Sequence, residues 1–422
     1  MSIKELYDIF RSHPRISTDS RNITESSLYF ALRGDRFNGN LFAEEALSKG
    51  AAYAIVDDKS LKIDPANSQR IIIVDDALKT LQALARHHRQ VLSIPIIAIT
   101  GSNGKTTTKE LITASLATKY RVYSTRGNLN NHIGVPLTLL EMTPSTEIGV
   151  VEMGANAQGE IALLCSIAQP SAGIITNVGR AHLEGFGGEE GIRRGKGELF
   201  DYLQSTGGEA FFAQEDGVIS QMAESRNGLN IVDYSTNLSN GIQHSLEGEY
   251  NLKNIAAAVA IAQHYNTARE DIDRAIAAYR PTNNRSQLQL TPRNRLIVDC
   301  YNANPSSMDV AITNLATDSY AEHSKKMMIL GDMFELGEWS TQEHQNIVRR
   351  AEQMPHVRTV LVGEEFSQSF KTLHDAEQPS NIEIFNSTEE LLRTLPEIEL
   401  KGYTILIKGS RAMALEKIIN IL

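Results

Sequence analysis

A chain of 422 residues is too long for one hydrophobic core and implies several domains. A formal net charge of -10, with 41% hydrophobic and 22% charged residues, describes an ordinary globular protein and speaks against a nucleic-acid surface. No apolar run approaches the roughly 20 residues that span a bilayer, so no membrane insertion is expected.

In chain order, the amino terminus "MSIKELYDIFRSHPRISTDSR" lacks the apolar core of a secretion signal. Residues 1–92 read as a small mixed α/β domain. "SSLYFALRG" is a strand ending in a glycine turn, "NLFAEEALSKGAAYAIVDD" a helix followed by a buried strand, and "DDALKTLQALARHHRQV" a helix leading to Pro95. Residues 93–288 alternate strands and helices. "IPIIAIT", "YRVYST", "EIGVVEMG" and "SAGIITNV" are short, apolar and rich in β-branched residues, the pattern of a parallel sheet covered on both faces, and "LKNIAAAVAIAQHY" is strongly helical. In 289–422 the pattern restarts with "RLIVDCY", "KKMMILGD", "VRTVLVG" and "YTILIKG", a third, Rossmann-like α/β domain. Cys165 and Cys300 are distant in sequence and expected to be free thiols, which suits a reducing, cytoplasmic setting.

The stretch "ITGSNGKTTTKE" carries the clearest chemistry. An apolar strand runs into a glycine turn, and a helix follows. Glycines let successive N–H groups converge on one anion, and the helix adds its positive end. Lys105 would reach the β- and γ-phosphates of a nucleotide, and the Thr106 hydroxyl would ligate magnesium. Ile99 stands where the general phosphate-loop pattern has its first glycine, so the loop is a shortened variant. Such a loop serves kinases, switches, motors and ligases alike.

Two further residues stand at strand ends, where parallel sheets open onto ligands. Glu152 in "VVEMGAN" is an ordinary magnesium ligand, and His182 in "TNVGRAHLEGFG" an unusual one. Taken alone, Glu152 reads equally well as a solvated carboxylate and His182 as a helix cap. Lys196, at what reads as a helix start beside Arg193 and Arg194, looks like part of a solvated or phosphate-facing basic face.

Together, "TGSNGKTTTKE", "TRGNLNNHIGVPLTLL", "VVEMGANAQGEI", "TNVGRAHLEGFGG" and "KGELF" resemble the central domain of the Mur ligases, which build the peptide stem of peptidoglycan precursors. "STDSRNITESSLYFALRGDRFNGNLFAEEALSKGA" is similar to their amino-terminal domain, and "VDCYNANPSSMDVAI", "ILGDMFELGEWSTQEH" and "LIKGSRAMALEKI" to their carboxy-terminal domain. The pairing of "YNANPSSM" with "GDMFELG", and the lack of a "DNPR"-like motif, point to the F-type branch. The resemblance implies a cytoplasmic ligase that uses ATP and two magnesium ions to join D-alanyl-D-alanine to UDP-N-acetylmuramoyl-tripeptide; the sequence does not encode an oligomeric state, and a monomer is the default expectation.

It also implies roles for individual residues. Gly101, Ser102, Asn103, Gly104, Lys105, Thr106 and Thr107 would form the ATP phosphate loop. Thr106 and Glu152 would hold one magnesium, His182 would stand at the second, and Lys196 would ligate metal as N6-carboxylysine. Asn251 and Asn254 would meet adenine, with Tyr250 where many relatives have histidine; Arg285 would lie near the phosphates and Asp299 at the ribose. Asp19, Ser20 and Arg21 would serve the uridine nucleotide, Asn128, Asn130 and Asn131 with His132 the muramoyl substrate, and Lys408, Ser410 and Arg411 the peptide end. The rivals are a ligase adding one amino acid (the E-type enzyme or a folylpolyglutamate synthase), a small-molecule kinase, and a nucleotide-switched binding protein.

Overall fold

A computed structural model describes every residue except 36, 282–284, 286, 318–324, 375–378, 380 and 396–399. Three main sheets form, each from a separate stretch of chain. The first is parallel, in the order Ile16–Ser17, Leu28–Phe30, Tyr53–Val56, Ile71–Ile73. A two-stranded antiparallel pair, Arg33–Gly34 with Phe37–Asn38, stands beside it.

The second sheet has six parallel strands in the order Asn230–Tyr234, Glu209–Ala213, Ala172–Ile175, Ile96–Thr100, Ile148–Glu152, Val122–Ser124. Ile96–Thr100 and Ile148–Glu152 are buried at every position, as continuous apolar runs between two helical layers require. The chain leaves Ile96–Thr100 toward one side of the sheet and later returns to its other side. The carboxyl ends of Ile96–Thr100, Ile148–Glu152 and Ala172–Ile175 therefore flank a topological switch point, the usual ligand crevice of such sheets.

The third sheet runs Gln287–Leu290, Arg295–Asp299, Tyr403–Lys408, Lys325–Gly331, Val357–Val362, Ile382–Phe385. Only its first pair is antiparallel. It begins at Gln287, inside the segment the sequence assigns to the central domain, because Gln287–Leu290 folds back on Arg295–Asp299.

Helix Ala77–Leu92 welds the first unit to the second. Asp76 caps it through Lys79 N at 2.8 Å, and Ala77, Leu81, Leu84, Ala85 and His88 form its buried stripe. His88 Nε2 lies 2.9 Å from Met142 O and its Nδ1 lies 3.1 Å from Tyr7 Oη. A carbonyl can only accept, so Nε2 carries the hydrogen and Nδ1 accepts from the tyrosine. Burial lowers the pKa of this imidazole and keeps it neutral. The seam with the third unit is part apolar: Leu183 and Phe186 share a cluster with Leu336 and Trp339, and a Cβ at Gly188 would lie 3.6 Å from the Trp339 ring. Both cysteines are buried and free. Among the described residues no helix is long and apolar enough to cross a membrane.

Candidate active site

At the switch point the chain turns sharply after Thr100. Gly101 has φ of +142° and Gly104 of +78°, conformations that side chains disfavour. Space forbids side chains there too: a Cβ on Gly101 would lie 2.1 Å from Thr176 Oγ1, and one on Gly104 2.8 Å from Asn254 Oδ1. The loop is braced from the strand Ala172–Ile175: Ser102 N donates to Asn177 O at 3.0 Å and Asn103 N to Asn177 Oδ1 at 3.0 Å. Helix Lys105–Leu116 then starts without a side-chain cap, leaving its first N–H groups for an anion.

Lys105 folds back on its own loop, donating to Gly101 O at 2.7 Å and Ser102 O at 3.2 Å. Desolvation draws its ammonium down to about 8; Glu152 opposes the shift and Arg285 adds to it. Thr106 is 4% exposed and Glu152 1%, and neither Thr106 Oγ1 nor Glu152 Oε2 has a hydrogen-bond partner. The other oxygen of Glu152 accepts from Asn130 Nδ2 at 2.8 Å, and Lys109 Nζ stands 3.8 Å from Oε2. Glu152 is thus no solvated carboxylate. It is aimed, with one oxygen held and one bare.

A cavity of about 730 Å³ opens above the loop. From the expected set its wall takes Ser102, Asn103, Gly104, Lys105, Thr107, Asn128, Asn130, Asn131, His132, Glu152, His182, Asn254, Arg285, Asp299 and Lys408. Asp299 and Lys408 come from adjacent strands in direct register, and their side chains meet at 2.6 Å. The Arg285 guanidinium lies 3.8 Å over the Tyr301 ring, another wall residue. His182, at φ of +55°, pairs through Nδ1 with Glu335 of the third unit.

Three family models match this chain: the Mur ligase middle domain over residues 99–244, the Mur ligase glutamate ligase domain over 284–411, and the Mur ligase family catalytic domain over 14–89. The chain belongs to the Mur ligase family. Among its relatives, the UDP-N-acetylmuramoyl-tripeptide–D-alanyl-D-alanine ligase of Bacillus subtilis is 35% identical over 96% of this chain and 92% of the relative. The ligase of the same name from Escherichia coli is 32% identical over 96% and 93%. Two solved Mur ligases share the whole three-domain architecture. MurF from Acinetobacter baumannii has a TM-score of 0.83 at 31% identity, covering 96% of this chain and 92% of that one. MurF from Thermotoga maritima in complex with ADP has 0.83 at 26%, covering 98% and 97%.

Other expected Mur ligase residues lie off the cavity wall. Asn251 sits behind Asn254, accepting from its Nδ2 at 2.8 Å and donating to Glu247 O at 2.7 Å, while Thr108 Oγ1 donates to Asn254 Oδ1 at 3.1 Å. Ser410 is buried, its Oγ accepting from Phe334 N at 3.0 Å, and exposed Arg411 pairs with Glu416 at 3.3 Å. Arg21 forms a two-pronged pair with Asp19 that holds the carboxyl at about 2, and Ser20 is buried; none of the three touches the cavity.

Lys196 corrects the sequence reading most sharply. It lies in mid-helix (Glu189–Thr206), not at a helix start, and is 1% exposed, not solvated. Its Nζ donates to Ala155 O at 3.2 Å, one layer behind the wall, and faces the Phe186 ring at 4.8 Å. Desolvation, then Lys105, push its pKa well below the usual lysine range, against the pull of Glu160 and Glu198. Sequence reasoning missed Asn177, whose side chain cradles the loop, and Asn304, whose Nδ2 donates to Asn103 Oδ1 at 2.8 Å from the third unit. Asn304 stands before Pro305 as a helix N-cap, a recognisable signal, but nothing local announces its partner.

Proposed function

We propose that this chain is an ATP-dependent ligase that adds D-alanyl-D-alanine to UDP-N-acetylmuramoyl-tripeptide, the two substrates in the names of its relatives, and that it releases ADP and phosphate. One observation carries the reading: the phosphate loop, Lys105 and Glu152 line one cavity together with Asp299 and Lys408 of the third domain, and Thr106, just behind that wall, is buried with its hydroxyl free of hydrogen bonds. In this reading residues 1–92 hold the UDP-sugar, 93–286 the ATP, and 287–422, with the third sheet, the ribose and the incoming dipeptide. The enzyme works as a cytoplasmic monomer with no nucleic-acid partner.

Two buried oxygens without hydrogen bonds, one of them beside the Lys109 ammonium, suit a hard cation. Magnesium commonly takes one or two protein ligands and completes its shell with phosphates and water. Thr106 and Glu152 would hold one magnesium and His182 would stand at a second; when bound, the ions neutralise charge between the triphosphate and the attacking carboxylate. Lys196 is buried, and burial favours the uncharged form of its amine, the form that adds carbon dioxide. N6-carboxylysine there would put an anion where the amine stands, behind the wall.

The chain's own groups position and neutralise. The Gly101–Thr107 amides and Lys105 would grip the β- and γ-phosphates, with Arg285 above them. Asn254, braced by Asn251, would meet adenine, and Asp299 the ribose hydroxyls. Asn128, Asn130 and Asn131 would face the muramoyl peptide, Lys408, Ser410 and Arg411 the dipeptide side, and Asp19, Ser20 and Arg21 the uridine nucleotide. The tripeptide carboxylate attacks the γ-phosphorus to give an acyl phosphate and ADP; the dipeptide amine then attacks the acyl carbon and phosphate leaves. The test is phosphate release with UDP-muramoyl-tripeptide, with and without the dipeptide, using carboxylate labelled with heavy oxygen. Label should appear in the phosphate; unlabelled phosphate refutes the reading. Product mass with D-alanyl-D-alanine against single amino acids separates this ligase from the E-type enzyme and the folylpolyglutamate synthases.

A further inference from the structure

The segment after the strand Ala172–Ile175 touches two partners at once. On one side it holds the phosphate loop, through Asn177 Oδ1 to Asn103 N at 3.0 Å and Gly179 O to Ser102 Oγ at 2.7 Å. On the other it meets the third domain. Arg180 N donates to Ser306 Oγ at 2.8 Å, and the Arg180 guanidinium reaches both oxygens of Glu343, at 2.7 and 3.0 Å, and Asp309 Oδ2 at 3.0 Å.

We propose that Arg180 is a positioning residue whose clasp on Asp309 and Glu343 carries the docking of the third domain into the register of the phosphate loop. The two acids stand on different helices, Pro305–Ala316 and Ser340–Glu352. A planar guanidinium bridges them with two separate nitrogens, Nη1 on Glu343 and Nη2 on Asp309, where an ammonium has a single nitrogen to share between both acids. The Glu343 side chain is 8% exposed and that of Arg180 31%, so this pair is partly shielded from the solvent that weakens surface ion pairs, while Asp309, at 40%, is the open end of the clasp. Between Gly179, which grips Ser102, and His182, which meets Glu335, Arg180 has little freedom to move without carrying both neighbours. Losing the clasp would leave the apolar Phe186–Trp339 seam in place. The third domain would still approach, but less completely, and the loop would be held in register by the Asn304–Asn103 pair without the clasp.

The inference rests on the ligase reading for its kinetic readout only. In the full chain, Arg180→Met, Arg180→Lys, Glu343→Gln and the double variant Arg180→Met/Glu343→Gln are compared for kcat, for KM of ATP, and for the radius of gyration by X-ray scattering with a non-hydrolysable ATP analogue. Arg180→Met and Glu343→Gln should each lower kcat, by roughly up to 100-fold, since small misplacements have that reach. KM for ATP should stay within about threefold, the signature of a loss felt after nucleotide binding. The double variant should be no worse than the poorer single, Arg180→Lys should recover part of kcat, and Arg180→Met should be more expanded than the wild type. Unchanged kcat in both single variants, fully multiplicative losses, or Arg180→Lys no better than Arg180→Met would overturn the proposal. Should Arg180→Met fail to fold, Glu343→Gln decides alone: wild-type kcat there overturns it. Should the wild type release no dipeptide-dependent phosphate, the ligase reading falls, while the scattering comparison still judges the clasp, an equal radius counting against it.

Discussion

Adding one methyl group at Gly101 should damage both the stability and the nucleotide binding of the central domain. The added Cβ of Gly101→Ala would lie 2.1 Å from Thr176 Oγ1, 3.0 Å from Thr176 N and 3.1 Å from Asn177 N. None of these can step aside cheaply. Thr176 Oγ1 donates to Asn103 O at 2.6 Å, and Thr176 N donates to Thr100 O at 2.9 Å within the sheet. The φ of +142° adds backbone strain of about 1–2 kcal/mol, and overpacking about 1–3 kcal/mol. The total of about 2–5 kcal/mol corresponds to a Tm lowered by about 4–20 °C for a domain of this size. Calorimetry of the full chain measures it, and titration with an ATP analogue should show weaker binding as the loop is pushed off its amides. Adding Thr176→Ala removes the worst contact and should restore part of the loss, leaving the strain and the two amide contacts. A Gly101→Ala protein that melts and binds nucleotide like the wild type would refute this account of the loop.

In the nucleotide-free protein Lys105 titrates near 8 instead of 10.5. Between those values the unfolded chain holds the proton that the folded chain has lost, so stability should rise with pH, by at most about 1.4 kcal/mol per pH unit. Lys105→Met should flatten that rise in urea midpoints taken at pH 8 and pH 10, and should abolish ADP release without unfolding the chain. Asn130→Ala frees the Glu152 oxygen that Asn130 holds at 2.8 Å and should raise the magnesium needed for half-maximal activity by about 10- to 100-fold; an unchanged requirement would remove Asn130 from the metal side. Lys196→Ala should be severely impaired and partly rescued by short-chain carboxylates; full activity without rescue would discard the carbamate.

Much of this was legible in the sequence, for identifiable reasons. The phosphate loop could be found because glycines, a lysine and a threonine must stand in one short order to wrap an anion. Glu152 could be found because a carboxylate closing a fully apolar strand has to meet water or a ligand at the open end of the sheet. The neighbouring Arg193 and Arg194 mask Lys196 as part of a charged face, although Ile192, Lys196, Leu199 and Leu203 follow the spacing of one buried helix face. The strands Asn230–Tyr234 and Ile382–Phe385 escaped because they lie at sheet edges and carry no continuous apolar run. Gln287–Leu290 escaped for the same reason, its alternate side chains, Leu288 and Leu290, being exposed. The pairing of Asn103 with Asn304 spans 201 residues, and no local pattern encodes it.

The only tryptophan in the sequence, Trp339, lies on the seam between the central and third domains, against Gly188. Its indole emission therefore comes from a single place, and that place is where the two bodies meet. Stopped-flow mixing of the unlabelled wild-type chain with nucleotide would time their approach directly, with no engineered dye and no second signal to subtract.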